Sequence, residues 1–263
     1  MGKNVREAWA DQRRVGACHR AWQTTLDLCF PRWCAGCGAY DEDLCEQCRS
    51  AFGKRWDRVE EHLPYLQLVS PIDGEIRAPF PVGALGEYSG VRSRAIVRWK
   101  NTVDQRLDEA FYDVVLSRSG YDEIALCWPH VIVPMPSSRQ RIRADRYVVG
   151  VLAAAVSAAM GVPVTPILFS AHTSSWRHRI RGDRRLSRPA QFYDRRVKSK
   201  LIKCCAGADL SGCDVLLVDD VVTTGATVLG AWKAVQSCGG RVIGAVALAA
   251  AHNPRQLRGR GHM

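Results

Sequence analysis

No stretch of this chain approaches the ~18 consecutive apolar residues of a membrane-spanning helix, so no membrane span is expected. The opening residues, MGKNVREAWADQRR, are charged and lack the apolar segment of a secretory signal, which points to a cytoplasmic location. No internal repeat is visible. Acidic residues are in short supply: 26 Asp and Glu face 37 Lys and Arg, a formal net charge of +11. Such an imbalance favours an anionic partner, whether nucleic acid, phosphorylated metabolite or lipid surface. Apolar residues are not scarce. At 47% of 263 residues they support a sizeable core and exclude wholesale disorder, and the length suits one α/β domain with a small appendage.

Periodicity and turn residues divide the chain into three parts. Residues 1–28 read as a basic amphipathic helix, with Val5, Trp9, Val15, Trp22 and Leu26 loosely periodic. Residues 29–79 hold a cysteine-rich segment and a connector punctuated by Pro64, Pro71, Gly74 and Pro79. From residue 80 to 263, apolar strands alternate with helices. FPVGALGEY reads as a strand, and GVRSRAIVRWKNTVDQRLDEAFYDVVLSRS as one or two helices. HVIVPMP is a short strand, and RADRYVVGVLAAAVSAAMG a helix closed by Gly161. VPVTPILF is a second apolar strand, DVLLVDD a third, TGATVLGAWKAVQSCGG a helix and RVIGAVALAA the last strand. Continuous apolar strands between helices predict a parallel sheet covered on both faces.

Eleven cysteines are many for a cytosolic chain without a metal or redox role. Four explain themselves. CAGCGAYDEDLCEQC places Cys34, Cys37, Cys45 and Cys48 in the pattern C-x2-C-x7-C-x2-C. Two CxxC hooks can present four thiolates tetrahedrally to Zn²⁺, with Gly36 and Gly38 easing the turn in each hook. Two disulfides and an iron–sulfur cluster are the alternatives. Four thiolates leave no open coordination position, so the expected zinc is structural. Cys18, Cys29, Cys127, Cys204, Cys205, Cys213 and Cys238 read as ordinary apolar or surface thiols. Trp9, Trp22, Trp33 and Trp56, all in the first quarter, are expected to pack the small part onto the large one.

LLVDDVVTTGATV, residues 216–228, is the most informative stretch. Ligands of an open parallel sheet bind beyond the C-terminal strand ends, where Asp219 and Asp220 are expected. The turn Val221, Val222, Thr223, Thr224, Gly225, Ala226, Thr227 leads into a helix N-terminus, whose unpaired N–H groups and dipole favour an anion such as phosphate. Gly225 allows close approach and a positive φ. Adjacent carboxylates suit the hydroxyls of a sugar, or a Mg²⁺ nearby. Phosphate, diol and metal together describe a ribose 5-phosphate. The competing reading is a strand end followed by a capping threonine, with no ligand.

This stretch resembles the phosphoribosyl-pyrophosphate (PRPP) signature of type I phosphoribosyltransferases. Together with CAGCGAYDEDLCEQC, EYSGVRSRAIVRWK and VIVPMPSSRQRIRADR, it makes the chain look like the ComF family of competence and DNA-uptake proteins. The resemblance implies a type I phosphoribosyltransferase-like parallel sheet flanked by helices, with a small N-terminal zinc domain built on four cysteines. Asp219 and Asp220 would contact ribose hydroxyls and Thr223 to Thr227 would cradle the 5-phosphate. The loop of Pro134 and Pro136, with Arg139 and Arg143, would face pyrophosphate, and Mg²⁺ would accompany PRPP. The chain departs from the family after Arg143, where Ala144, Asp145, Arg146 and Tyr147 replace the usual Gly-Phe-Asn-Gln.

Two basic segments complete the reading. Residues 139–146 hold four Arg against one Asp, and residues 177–200 hold ten Arg or Lys against two Asp, interleaved with Phe192 and Tyr193. They suit anion clamping by guanidinium groups, a single-stranded DNA track with stacking platforms, or merely solvated loops. Two functions are therefore expected to compete. One is a PRPP-dependent phosphoribosyl transfer to a nitrogen nucleophile. The other is a non-catalytic single-stranded DNA-binding module that works with a helicase in natural transformation.

Overall fold

A computed structural model describes residues 32–70, 72–136, 146–171, 201–205 and 207–251. The expected helix over 1–28, Arg139, Arg143 and the basic stretch 177–200 lie outside the described residues. The elements run α1 (Glu46–Ser50), β1 (Asp57–Arg58), the hairpin β2 (Leu68–Val69) and β3 (Ile76–Arg77), β4 (Val82–Ala84), α2 (Gly90–Asn101), α3 (Gln105–Leu116), β5 (Val131–Pro134) and α4 (Val148–Met160). They continue with β6 (Leu168–Ala171), β7 (Leu201–Cys204), β8 (Asp214–Val222), α5 (Ala226–Ser237) and β9 (Arg241–Ala250).

The central sheet has the order β1-β4-β9-β8-β5, parallel throughout except for the short antiparallel edge strand β1. Its middle strands are the chain's two longest apolar runs. In β9 every residue after Arg241 is buried, and β8 is buried at consecutive positions from Val215 to Val218. Burial without alternation means that both faces are covered, as the unbroken apolar pattern requires. Helix α4 packs on β5 and β8, and α5 on β8 and β9. This is the mixed α/β, mostly parallel architecture that the strand–helix alternation implied.

Local chemistry sets the helix ends. The Asp104 carboxylate accepts the N–H groups of Arg106 and Leu107 and so caps α3. Gly161, at φ 71°, closes α4 by donating its N–H to the Ser157 carbonyl at 2.8 Å. The segment GVRSRAIVRWKNTVDQRLDEAFYDVVLSRS is two helices, broken where Thr102 adopts an extended conformation.

Three sequence expectations are corrected. VPVTPILF is not a strand of the central sheet. Val164 makes one isolated bridge to Ile132, and β6 begins only at Leu168, pairing antiparallel with β7 in a separate two-stranded sheet. Pro163 and Pro166 remove the amide donors that a continuous ladder needs. The helix expected from Arg143 onward begins at Val148: Arg143 to Asp145 lie outside the described residues, and Arg146, bound to Asp108 and the Trp99 carbonyl, and Tyr147 precede the helix. Strand β8 does not end at the acids but continues through Val222.

One apolar cluster runs from Cys34 to Ala250, so the cysteine-rich segment shares its core with the sheet. Trp56 is buried against Tyr121, with ring centres 5.6 Å apart, as expected of a packing tryptophan. Trp33 is exposed and meets Tyr40 edge-on. Trp9 and Trp22 lie outside the described residues. No helix among the described residues is long and apolar enough to cross a membrane.

Candidate functional site

The two CxxC hooks converge. The sulfurs of Cys34, Cys37, Cys45 and Cys48 all lie within 4.8 Å of one another, and Cys37 and Cys45 approach to 3.6 Å. Tetrahedral zinc with bonds of ~2.3 Å holds its sulfurs about 3.8 Å apart, so the donor set fits that ion. Backbone amides already point at the sulfurs, Cys45 N–H at Cys34 Sγ (3.3 Å) and Ala39 N–H at Cys37 Sγ (3.4 Å). Burial opposes ionisation of Cys34, yet the amides of Cys37, Cys45 and Gly36 outweigh it and bring that thiol down to about 6. Burial pushes the Cys45 and Cys48 thiols up, so a bound cation would have to draw those protons off. Gly36 has no room for a side chain, since a Cβ there would sit 2.6 Å from Cys48 Sγ.

The knuckle is tied to the N-terminal part of α2. Arg94 donates to the Gly36 carbonyl at 2.7 Å, and Arg92 to the Ala51 carbonyl at 2.7 Å. Beyond the knuckle the chain crosses the sheet edge, where buried Glu60 accepts the Val82 N–H at 3.1 Å. It then reaches the second site.

That site is the bend after β8. Gly225 takes φ 79° and stands as N-cap of α5, with no side chain capping the helix. Among the described residues, no backbone carbonyl accepts the N–H groups of Thr223, Thr224, Gly225, Ala226, Thr227 or Val228; Leu229 N–H bonds Gly225 O at 2.8 Å. The bend therefore presents a row of amide donors at a helix N-terminus. Thr223 is exposed, and Thr224 and Thr227 half-buried. From behind, the connector holds the bend. Tyr65 N–H bonds the Thr224 carbonyl at 3.0 Å, and a Cβ on Gly225 would stand 3.0 Å from Leu66 Cγ and 3.1 Å from Leu63 Cβ. Nothing in the sequence pattern marked Leu63, Tyr65 or Leu66 as neighbours of this loop.

Asp219 and Asp220 are adjacent in sequence but not equivalent in space. Both lie within β8, where successive side chains leave opposite faces. Asp220 is buried and its Oδ2 meets Lys100 Nζ at 2.9 Å. The Asp219 Oδ1 accepts the Asp220 N–H at 2.8 Å. Loss of solvent around Tyr147, with repulsion from the Asp219 carboxylate, holds the Tyr147 phenol well above its ordinary value. Tyr147 still leaves 36% of its surface exposed, so it sits at the rim beside Asp219. Val221 is half-buried and Val222 buried, as strand residues. Pro134 ends β5 opposite Val218 and is buried, Met135 N–H bonds Val218 O at 2.8 Å, and Pro136 is half-buried. The loop after β5 thus leaves the sheet one strand away from the two acids.

Arg146, grouped by sequence with the anion-clamping arginines, has a different task. It is buried, donates to both Asp108 oxygens (2.7 and 3.0 Å) and bonds the Trp99 carbonyl through Nε and Nη2 (2.9 and 2.6 Å). Trp99 in turn donates to Asp108 at 2.6 Å and stacks on Phe111 with centres 4.2 Å apart. This network joins α2, α3 and the start of α4 beside Lys100. Sequence reasoning missed Lys100, although it closes the EYSGVRSRAIVRWK segment that carried part of the resemblance. Spacing does not reveal which of the basic residues of α2 turns inward.

The sequence model of the phosphoribosyl transferase domain family matches residues 180–260, a span that contains the bend. The chain is phosphoribosyltransferase-like. Over 40 residues it is 52% identical to the orotate phosphoribosyltransferase of Pyrobaculum islandicum, which is 15% of this chain and about a fifth (21%) of that relative's length. Among solved structures it is similar to the adenine phosphoribosyltransferase of Thermoanaerobacter pseudethanolicus. There identity is 14%, coverage 78% of this chain and 95% of that one, and the TM-score 0.36. The Saccharomyces cerevisiae adenine phosphoribosyltransferase gives 15% identity, coverage of 77% and 94%, and a TM-score of 0.36.

Proposed function

We propose that this phosphoribosyltransferase-like protein binds PRPP at the bend after β8 and transfers its phosphoribosyl group to a nitrogen nucleophile. One observation carries the reading: among the described residues, a run of six backbone N–H groups, Thr223 to Val228, has no backbone acceptor, at a helix N-terminus two residues after Asp219 and Asp220. The amides and the Thr223, Thr224 and Thr227 hydroxyls would hold the 5-phosphate. The acids would accept hydrogen bonds from the ribose hydroxyls. Pyrophosphate would lie toward the Pro134–Pro136 loop, with Arg139 and Arg143 following in the chain. Mg²⁺ is expected to accompany PRPP through its pyrophosphate, supplying charge neutralisation when bound. In the reaction a C–N bond forms at the anomeric carbon while the C–O bond to pyrophosphate breaks, the electron pair leaving with pyrophosphate. The chain's own part is to orient the ribose and exclude water from the desolvated side of Asp220. The four-cysteine knuckle is read as a structural zinc site.

The resemblance to ComF proteins suggests a cytoplasmic role in competence and DNA uptake. The formal charge of +11 and the ten Lys or Arg of residues 177–200 favour a second reading, a single-stranded DNA-binding module acting with a helicase. Calorimetric titration of the zinc-loaded chain with PRPP and Mg²⁺ tests the first reading. Saturable heat that disappears in the Asp219→Asn, Asp220→Asn double variant is expected, and no heat at millimolar PRPP rejects it. A labelled oligonucleotide that does not shift at low salt, where phosphate contacts are strongest, rejects the second.

A further inference from the structure

We propose that Lys100 is the resident cation of the sugar-phosphate site, supplying to Asp220 the positive charge that a divalent ion would otherwise bring there. The inference rests on the reading that the bend after β8 binds a phosphorylated ribose. Lys100 Nζ stands 2.9 Å from Asp220 Oδ2, and the two side chains retain only 14% and 10% of their exposure. The pair is therefore largely out of water, where an opposite charge matters far more than at a surface.

The lysine is also held in place. Its neighbour Trp99 is fixed on three sides: stacked on Phe111, donating to Asp108, and bonded through its carbonyl to the Arg146 guanidinium. The other end of the same helix is anchored to the cysteine knuckle by Arg92 and Arg94. Helix α2 thus spans from the knuckle to Asp220, and its last full turn delivers one ammonium group to the strand end.

Consider the charges there without it. Two carboxylates and an incoming phosphate monoester would repel one another more strongly, and the partial charges of the amide row are weaker than a full ammonium charge. A bound Mg²⁺ keeps several waters and demands near-octahedral oxygen ligands, which a largely buried carboxylate whose Oδ2 already meets an ammonium group is poorly placed to supply. Asp220 keeps its capacity to accept from a sugar hydroxyl, now held in one orientation. Lys100 is then a positioning residue. Mg²⁺ is needed only for the pyrophosphate of PRPP, and a phosphosugar that lacks pyrophosphate binds without it.

Calorimetry of the full zinc-loaded chain with ribose 5-phosphate, in chelator-free buffer with and without millimolar Mg²⁺, reads this directly. For the wild type we expect affinities within about threefold of each other. Lys100→Met is expected to lose about tenfold or more without Mg²⁺ and to regain most of it when Mg²⁺ is added. Lys100→Arg, which keeps the charge, should remain independent of Mg²⁺. A wild type that needs Mg²⁺ to bind ribose 5-phosphate overturns the proposal, as does a folded Lys100→Met that binds equally well in both buffers. Should Lys100→Met not fold, the wild-type and Lys100→Arg arms decide. Binding of PRPP and ribose 5-phosphate that both require Mg²⁺ removes the lysine inference alone. Binding of neither in any buffer removes the PRPP reading and this inference together.

Discussion

The cysteine knuckle and the bend after β8 solve opposite problems. In the knuckle, four sulfurs from a 15-residue segment converge within 4.8 Å, and nearby amides already point at two of them. In the bend, six consecutive amides have no backbone acceptor among the described residues, while the surrounding contacts come from distant parts of the chain: Leu63, Tyr65 and Leu66 behind, Lys100 on Asp220, and Tyr147 beside Asp219. The first site carries its donors within one short segment. The second is assembled by the fold from segments far apart in the chain. A helix and a connector join them, so the knuckle also serves as the brace from which the bend is held.

The sharpest way to break that contrast is to remove a knuckle cysteine. Cys48→Ser should abolish stoichiometric zinc, measured by emission spectrometry, and cost about 5 kcal/mol or more in denaturant unfolding. The loss should spread to the bend, because α2 and the connector lose their anchor. A normal melt with intact PRPP binding would mean that the two sites are independent.

Next in size are the two acids. Asp220→Asn leaves the Lys100 ammonium buried without its carboxylate and should cost about 3–5 kcal/mol. Asp219→Asn keeps a side-chain oxygen able to accept the Asp220 N–H and should cost about 1 kcal/mol or less. Equal losses in urea melts would contradict their different surroundings. Gly225→Ala comes third. The residue's φ of 79° and the contacts of 3.0 and 3.1 Å with Leu66 and Leu63 predict a cost of about 1–3 kcal/mol and a weakened affinity for ribose 5-phosphate, read by calorimetry.

The smallest effect lies at the opposite end of the sheet, where Arg241 bonds Asp214 at 2.6 Å on an exposed surface. The Arg241 guanidinium, with lesser help from Cys127 and His130, holds the Asp214 carboxyl below its ordinary value. A carboxyl depressed in the folded state adds stability above its unfolded value of about 3.9, and that stability is lost as pH falls through the folded value. Wild type should therefore melt slightly above Arg241→Gln at neutral pH, with the gap closing on acidification. A gap that widened in acid would reverse the sign.

Much of the fold was legible because its signals are local. Unbroken apolar runs became β8 and β9, Gly161 closed α4 at the expected residue, and Arg241–Ala250 is the strand that RVIGAVALAA announced. Where reading failed, a single residue's chemistry overrode a composition. VPVTPILF has the apolarity of a sheet strand, but Pro163 and Pro166 cannot donate to a ladder. Arg146 has the charge of an anion clamp, but Asp108 and the Trp99 carbonyl take all of its guanidinium that the structure pairs. Asp219 and Asp220 are neighbours in sequence, but an extended strand sends their side chains to opposite faces and gives them different surroundings.

What the sequence alone determined about this protein is therefore what depends on near neighbours: the spacing of two cysteine hooks, the period of the apolar runs, and the glycine that turns a chain into a helix N-terminus. Only the tertiary structure decided which charge meets which. Lys100 and Asp220 are 120 residues apart, and Tyr65 and Thr224 further still. Local patterning cannot encode those pairings, because they arise from how a whole core packs and from the cost of burying any charge that the packing leaves without a partner.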